Sequence, residues 1–107
     1  DSGVDAASKY YSEFKAANPE KGLFFEAAMN NLGYEFFFNY DLPEAIVLFK
    51  LNVTEYPDSW NVYDSLGEAQ LEDGDKEGAL RNYKKSIELN PDNVNGVKIV
   101  QDLESGM

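Results

Sequence analysis

The chain has 107 residues, nine basic against twenty acidic, and a net charge of −11. That balance disfavours nucleic acid, whose phosphates need Lys and Arg, and it disfavours anionic membrane surfaces. With no Cys and no His, it excludes disulfides, thiolate metal sites and thiol catalysis, and lacks the commonest general base. Apolar residues make up 43%, enough to build a core, so the chain is not a disordered acidic tail. A basic partner surface suits the charge, and plain solubility is the alternative. No apolar run approaches the ~20 residues of a membrane span. A first residue other than Met, with no signal peptide, reads as a processed product or an excised piece of something longer.

Ser2-Gly3-Val4-Asp5 has the form of a helix start, a hydroxyl cap with a carboxylate three residues on. Ala6, Tyr10, Phe14 and Ala17 then share one face, and Asn18-Pro19 ends the helix because proline disfavours helix in the residue before it. The spacing predicts a helix over Val4–Ala17, read as an N-terminal cap. The next helix is predicted over Leu23–Asn39, with Phe25, Met29, Leu32 and Phe36 inward. Gly33 sits inside it at a cost of ~1 kcal/mol relative to Ala, which close approach of a paired helix would offset. Of the consecutive Phe36-Phe37-Phe38, Phe36 takes the inner stripe, so Phe37 or Phe38 should face outward.

After the turn Asn39-Tyr40-Asp41, the predicted partner helix is Pro43–Tyr56, with Ala45, Leu48, Phe49, Asn52 and Val53 inward. Pro43 falls near the first helical position, where its missing N–H costs nothing. Pro57-Asp58-Ser59 closes this unit. Trp60–Glu72 repeats the first helix of the pair, carrying Tyr63, Leu66, Gly67 and Leu71. Asp75–Leu89 repeats the second, carrying Ala79, Leu80, Tyr83, Ile87 and Leu89. Beyond Asn90-Pro91-Asp92, a shorter helix is predicted over Asn93–Glu104, with Val94, Val97, Val100 and Leu103 inward. Gln101 stands where Gly33 and Gly67 stood, so this last element reads as a closing helix rather than the start of a further unit.

Three motifs compete with this plain helical reading. Asp73-Gly74-Asp75-Lys76-Glu77-Gly78 imitates the start of a calcium loop, but the twelfth position, which needs a bidentate acid, is Lys84. An interhelix turn suffices. Ser12-Glu13-Phe14-Lys15 matches a serine-nucleophile pattern without its companion motifs and is read as coincidence. Asn52-Val53-Thr54 is a formal glycosylation sequon, yet Asn52 falls at the inner position matched by Ser86 and is expected to be a buried amide bonded to backbone. The many carboxylates fall on predicted solvent faces.

The organising pattern is an echo. Leu66-Gly67, Ala79, Tyr83 and Pro91 each have a counterpart 34 residues earlier, at Leu32-Gly33, Ala45, Phe49 and Pro57. This spacing resembles the tetratricopeptide repeat. The resemblance implies an all-α fold, an α-solenoid of antiparallel helix pairs with about six helices. The expected organisation is one domain over 1–107, with an N-terminal helix at 4–17, repeats at 23–57 and 58–91, and a capping helix at 93–104. Two repeats are fewer than the three usually required, so the flanking helices or a second copy would supply the missing burial. Asn52 and Gln70 depart from the family pattern, which favours a small residue and an aromatic there.

In this family the first helix of each pair lines a concave groove that holds peptides. The matching positions are Asn30, Tyr34, Phe37 and Phe38, then Asp64, Glu68 and Leu71. Members that grip acidic tails use Lys and Arg there, so an acidic ligand does not suit this chain and a basic or amide-rich one does. The resemblance implies a non-catalytic scaffold with no cofactor and no metal. Its partner would be a protein or peptide, not nucleic acid or membrane, with a homodimer as the alternative. The run FKLNVTEYPDSWNVYDSLGEAQLEDGDKEGAL, with NNLGYEF upstream, also resembles the C-terminal repeat segment of bacterial serine hydrolases of the beta-lactamase-like and alpha/beta-hydrolase esterase kinds. On that narrower resemblance the chain is an accessory or dimerisation segment whose catalytic domain lies elsewhere, a soluble piece of the bacterial cytoplasm or periplasm.

Overall fold

A computed structural model describes Lys9, Ser12, Glu13, Ala16, Ala17 and residues 22–106. Among them there is no strand. The bounded helices are α1 (Gly22–Phe38), α2 (Leu42–Glu55), α3 (Trp60–Glu72), α4 (Lys76–Leu89) and α5 (Val94–Gly106). Trp60–Glu72 has the bounds that the sequence predicts, and the other four lie within two residues of theirs. About six helices were expected and five are bounded here. The sixth, over Val4–Ala17, falls mostly outside the described residues, although Lys9, Ser12, Glu13, Ala16 and Ala17 are helical and exposed. The chain divides into two compact units, Asp1–Glu55 and Tyr56–Met107.

In the first unit α1 and α2 form a hairpin. Phe25 and Met29 from α1 and Ala45, Leu48 and Phe49 from α2 are buried. The Phe49 ring lies on Gly33, and a Cβ added at Gly33 would run into Phe49 Cε1. The mid-helix glycine is therefore a notch that admits a ring. Asn52 is buried and its Nδ2 donates to the Glu26 carbonyl at 3.0 Å, tying α2 to α1 as expected of a buried amide.

The second unit repeats the device. Leu66 and Val62 on α3 and Ala79 and Tyr83 on α4 are buried. A Cβ on Gly67 would stand 2.9 Å from Tyr83 Cδ2 and Cε2. α5 then closes the unit: Val100 and Leu103 join Ala79 and Tyr83 in one apolar cluster, with Leu71, Leu80, Ile87 and Ile99 packed around it. An exposed ion pair, Lys84 to Glu104 at 3.2 Å, spans α4 and α5 and contributes little at such exposure.

The hairpin turns share four backbone hydrogen bonds at matched positions. In the first, Asn39 N donates to Glu35 O, Tyr40 N to Phe37 O, Asp41 N to Phe36 O and Ala45 N to Asp41 O. In the second, Asp73 N donates to Ala69 O, Gly74 N to Leu71 O, Asp75 N to Gln70 O and Ala79 N to Asp75 O. Each is a Schellman closure, in which the residue just past the cap turns left-handed so that the freed carbonyls find donors. Gly74 takes that place in the second turn with φ 88°, and Tyr40 takes it in the first with φ 63°.

Two predictions about facing need correction. Val94 was expected inward and is 76% exposed. It is the first residue of α5, and the buried positions of that turn are the small Gly96 and the capping Asn93. On α3 burial is wider than the predicted stripe, taking in Val62, Ser65, Ala69 and Gln70 as well. The buried Gln70 is satisfied by accepting from Asn82 Nδ2 at 2.6 Å.

The notches give a test that opposes helix propensity. Ala is favoured over Gly in a helix by about 1 kcal/mol, yet overpacking a filled site costs about 1–3 kcal/mol. Gly33→Ala and Gly67→Ala should each lower stability in urea unfolding, and a stabilised variant at either position would contradict the packing described.

Candidate functional site

The face offered by α1 is built from rings. Tyr34 sits one residue after the notch, half-buried, with its ring 5.1 Å from that of Phe49 in an edge contact. Phe37 and Phe38 follow at the helical spacings that bring side chains onto a shared face. Their centroids lie 5.8 Å and 5.9 Å from Tyr34, the Phe38 ring stacked and the Phe37 ring edge-on. Phe37 and Phe38 are 5.3 Å apart. The result is one continuous run of rings from the buried Phe49 to Phe38, which is 70% exposed. Phe37 or Phe38 was expected to face outward; Phe38 is the exposed one and Phe37 is half-buried. Asn30, a turn earlier on α1, is also half-buried.

On α3 the corresponding positions are chemically different. Asp64 is half-buried and its Oδ2 accepts from Asn93 Nδ2 at 2.8 Å. Glu68 is half-buried. Leu71 packs against the core cluster of its own unit. The structure thus brings Tyr34, Phe37 and Phe38 together as one aromatic surface. Asp64 and Leu71 serve internal contacts of the second unit at the same time as they border its surface.

Two further residues were not singled out from the sequence. Tyr40 is 87% exposed at its left-handed turn position. The signal was present, because the repeat spacing aligns Tyr40 with Gly74. Asn93 is the other. Its Oδ1 accepts from Gly96 N at 3.2 Å, capping α5. Its Nδ2 lies 2.8 Å from Asp64 Oδ2 on α3 and 3.0 Å from Ser86 Oγ on α4. One buried amide therefore joins the three helices of this unit.

The motifs weighed against the helical reading take structural roles where they are described. Asp75 of the calcium-like stretch caps α4, its Oδ1 accepting from Gly78 N at 2.9 Å. The sequon residue Asn52 is 1% exposed. Ser12 is exposed on its helix, and Lys15 lies outside the described residues. Among the described residues no cluster of three or more acidic, His or Cys side chains could hold a metal ion. No helix among them is long and apolar enough to cross a membrane.

Residues 60–93 match the tetratricopeptide repeat family. The matched span takes in α3, the turn, α4 and the loop as far as the cap Asn93. Repeats of this kind are generally protein–protein interaction modules and are typically non-catalytic. No curated protein matches the chain.

The Asn93 junction gives a prediction of its own. Asn93→Ala removes a helix cap, worth roughly 0.5–2 kcal/mol, and strips a partner from buried Ser86 and half-buried Asp64. A loss of about 2 kcal/mol is expected in chemical denaturation. A loss below about 0.5 kcal/mol, the range of ordinary surface substitutions, would show that the junction is not structural.

Proposed function

We propose that this chain is a non-catalytic module that binds a partner protein or peptide, and that the α1 face carrying Tyr34, Phe37 and Phe38 is the main contact. The observation that supports this reading is the exposure of Phe38 at the end of a stacked run of rings. Large apolar side chains left in water next to a rigid support are what interfaces use as anchors. The rings are pre-ordered by contact with one another and with the buried Phe49. Binding there costs less conformational entropy than it would on a loose loop.

Asn30, a turn before Tyr34 on the same helix, adds a half-buried polar residue near that face. In the second unit the half-buried Asp64 and Glu68 make the surface acidic, which favours a basic or amide-rich segment over an acidic one. Leu71 contributes to its own core first. The finer reading of the chain as an accessory or dimerising segment of a bacterial serine hydrolase rests on the sequence resemblance alone. It calls for a stable homodimer, with the aromatic face turned to a second copy.

Peptide-array binding with the intact chain, alongside mass measurement at micromolar concentration, separates these readings. Phe38→Ala and Phe37→Ala should weaken peptide binding about tenfold, as expected for an interface anchor, while the melting temperature moves by only a few degrees. Unchanged binding with a large drop in melting temperature would assign the rings to folding instead. A stable dimer that binds no peptide would favour the dimerising segment.

A further inference from the structure

The turn of the first hairpin holds a residue that the fold does not ask for. The two turns share four backbone hydrogen bonds, and at the left-handed position the second uses Gly74 while the first uses Tyr40. A left-handed backbone is ordinary for glycine and costs a side-chain-bearing residue about 1–2 kcal/mol. Nothing in the packing offsets that cost, because the Tyr40 side chain is 87% exposed. Backbone strain held by an exposed aromatic is a pointer to a role outside folding.

The surroundings narrow that role. Between Tyr34 and Glu44 there are three carboxylates, Glu35, Asp41 and Glu44, and no Lys or Arg. Glu35 and Asp41 are exposed. Phe38, two residues before Tyr40, is 70% exposed. Exposed ring faces carry negative quadrupole potential, and carboxylates close by in the chain add charge of the same sign. The second hairpin acts as an internal control. Its residues at the positions of Tyr34, Phe37, Phe38 and Tyr40 are Glu68, Leu71, Glu72 and Gly74. The aromatic, strained combination belongs to the first hairpin.

We propose that the exposed rings Phe38 and Tyr40, at the end of α1 and in the turn after it, take a cationic side chain of a partner segment, an Arg or Lys held by cation–π contact in a stretch whose only charged residues are Glu35, Asp41 and Glu44. The inference rests on the reading of the chain as an interaction module and specifies the chemistry of its partner. Arg fits best, because its planar guanidinium stacks on a ring while its edge N–H groups reach neighbouring carboxylates. An acidic segment meets like charge there. A purely apolar one gains the rings but nothing from the carboxylates.

The test uses the intact chain and three short fluorescent peptides on one Gly-Ser backbone, carrying Arg, its neutral isostere citrulline, or Leu. Binding is read by anisotropy and oligomeric state by sedimentation. The Arg peptide should bind about two- to fivefold more tightly than the citrulline peptide, the worth of one cation–π contact at an exposed site. That preference should shrink with added salt. Phe38→Ala and Tyr40→Gly should each abolish it. Tyr40→Gly should also melt at a higher temperature than the parent, which separates loss of the ring from loss of the fold. Equal binding of the Arg and citrulline peptides, or binding that neither variant alters, overturns the proposal. Leu-peptide binding that exceeds Arg-peptide binding and depends on Phe38 overturns it while leaving the interaction reading intact. A dimer dispersed by Phe38→Ala, with no peptide bound, overturns it in favour of a second copy as the occupant.

Discussion

Each hairpin of this protein is held by an aromatic ring seated on a glycine. Phe49 lies on Gly33 in the first unit and Tyr83 on Gly67 in the second. All four residues are buried. The seat requires that no Cβ stand on the first helix, which explains why both helices accept a poor helix former in their middle. The propensity cost of about 1 kcal/mol is small beside the several kcal/mol that removal of a buried aromatic costs. The rest follows from the close crossing. The Schellman turn returns the chain at once, and small residues such as Ala45 and Ala79 lie fully buried near the seat.

On this shared frame the two units spend their polar groups differently. Asn52 and Ser86 occupy matched buried positions. Asn52 reaches back to the Glu26 carbonyl on α1, joining two helices. Ser86 meets Asn93 instead, and through it Asp64 and the cap of α5. The second unit therefore has a polar junction among three helices in addition to its apolar cluster. It also has Gln70 and Asn82 paired across its hairpin. The first unit carries its rings outward and keeps a strained tyrosine at its turn. The same backbone thus carries different polar contacts in its two units.

The helices were legible in the sequence because the echo of Leu-Gly, Ala, aromatic and Pro repeats at a fixed spacing, and because Pro and Asp mark the boundaries. The glycine seats were legible for the same reason, and the burial of Asn52 followed from its alignment with Ser86. What periodicity could not show was how polar side chains divide between surface and interior. Asp64 reads as a solvent-facing carboxylate until Asn93 is seen to claim one of its oxygens. Leu71 reads as a groove residue until it is found against the cluster of Ala79 and Tyr83. Val94 fits an inward stripe by spacing, but the cap at Asn93 sets where α5 begins and leaves Val94 outward. The strain at Tyr40 is visible only once the turn bonds show that it occupies the glycine's place.

The seating of a ring on a glycine is tested most directly by a double-mutant cycle in the second unit, pairing Gly67→Ala with Tyr83→Leu. If the ring occupies the notch, the added methyl should cost much less once the ring is gone, and the two changes should couple by about 1 kcal/mol or more. Additive losses, within about 0.5 kcal/mol, would mean that glycine and ring act independently, and the account of how these hairpins close would be wrong.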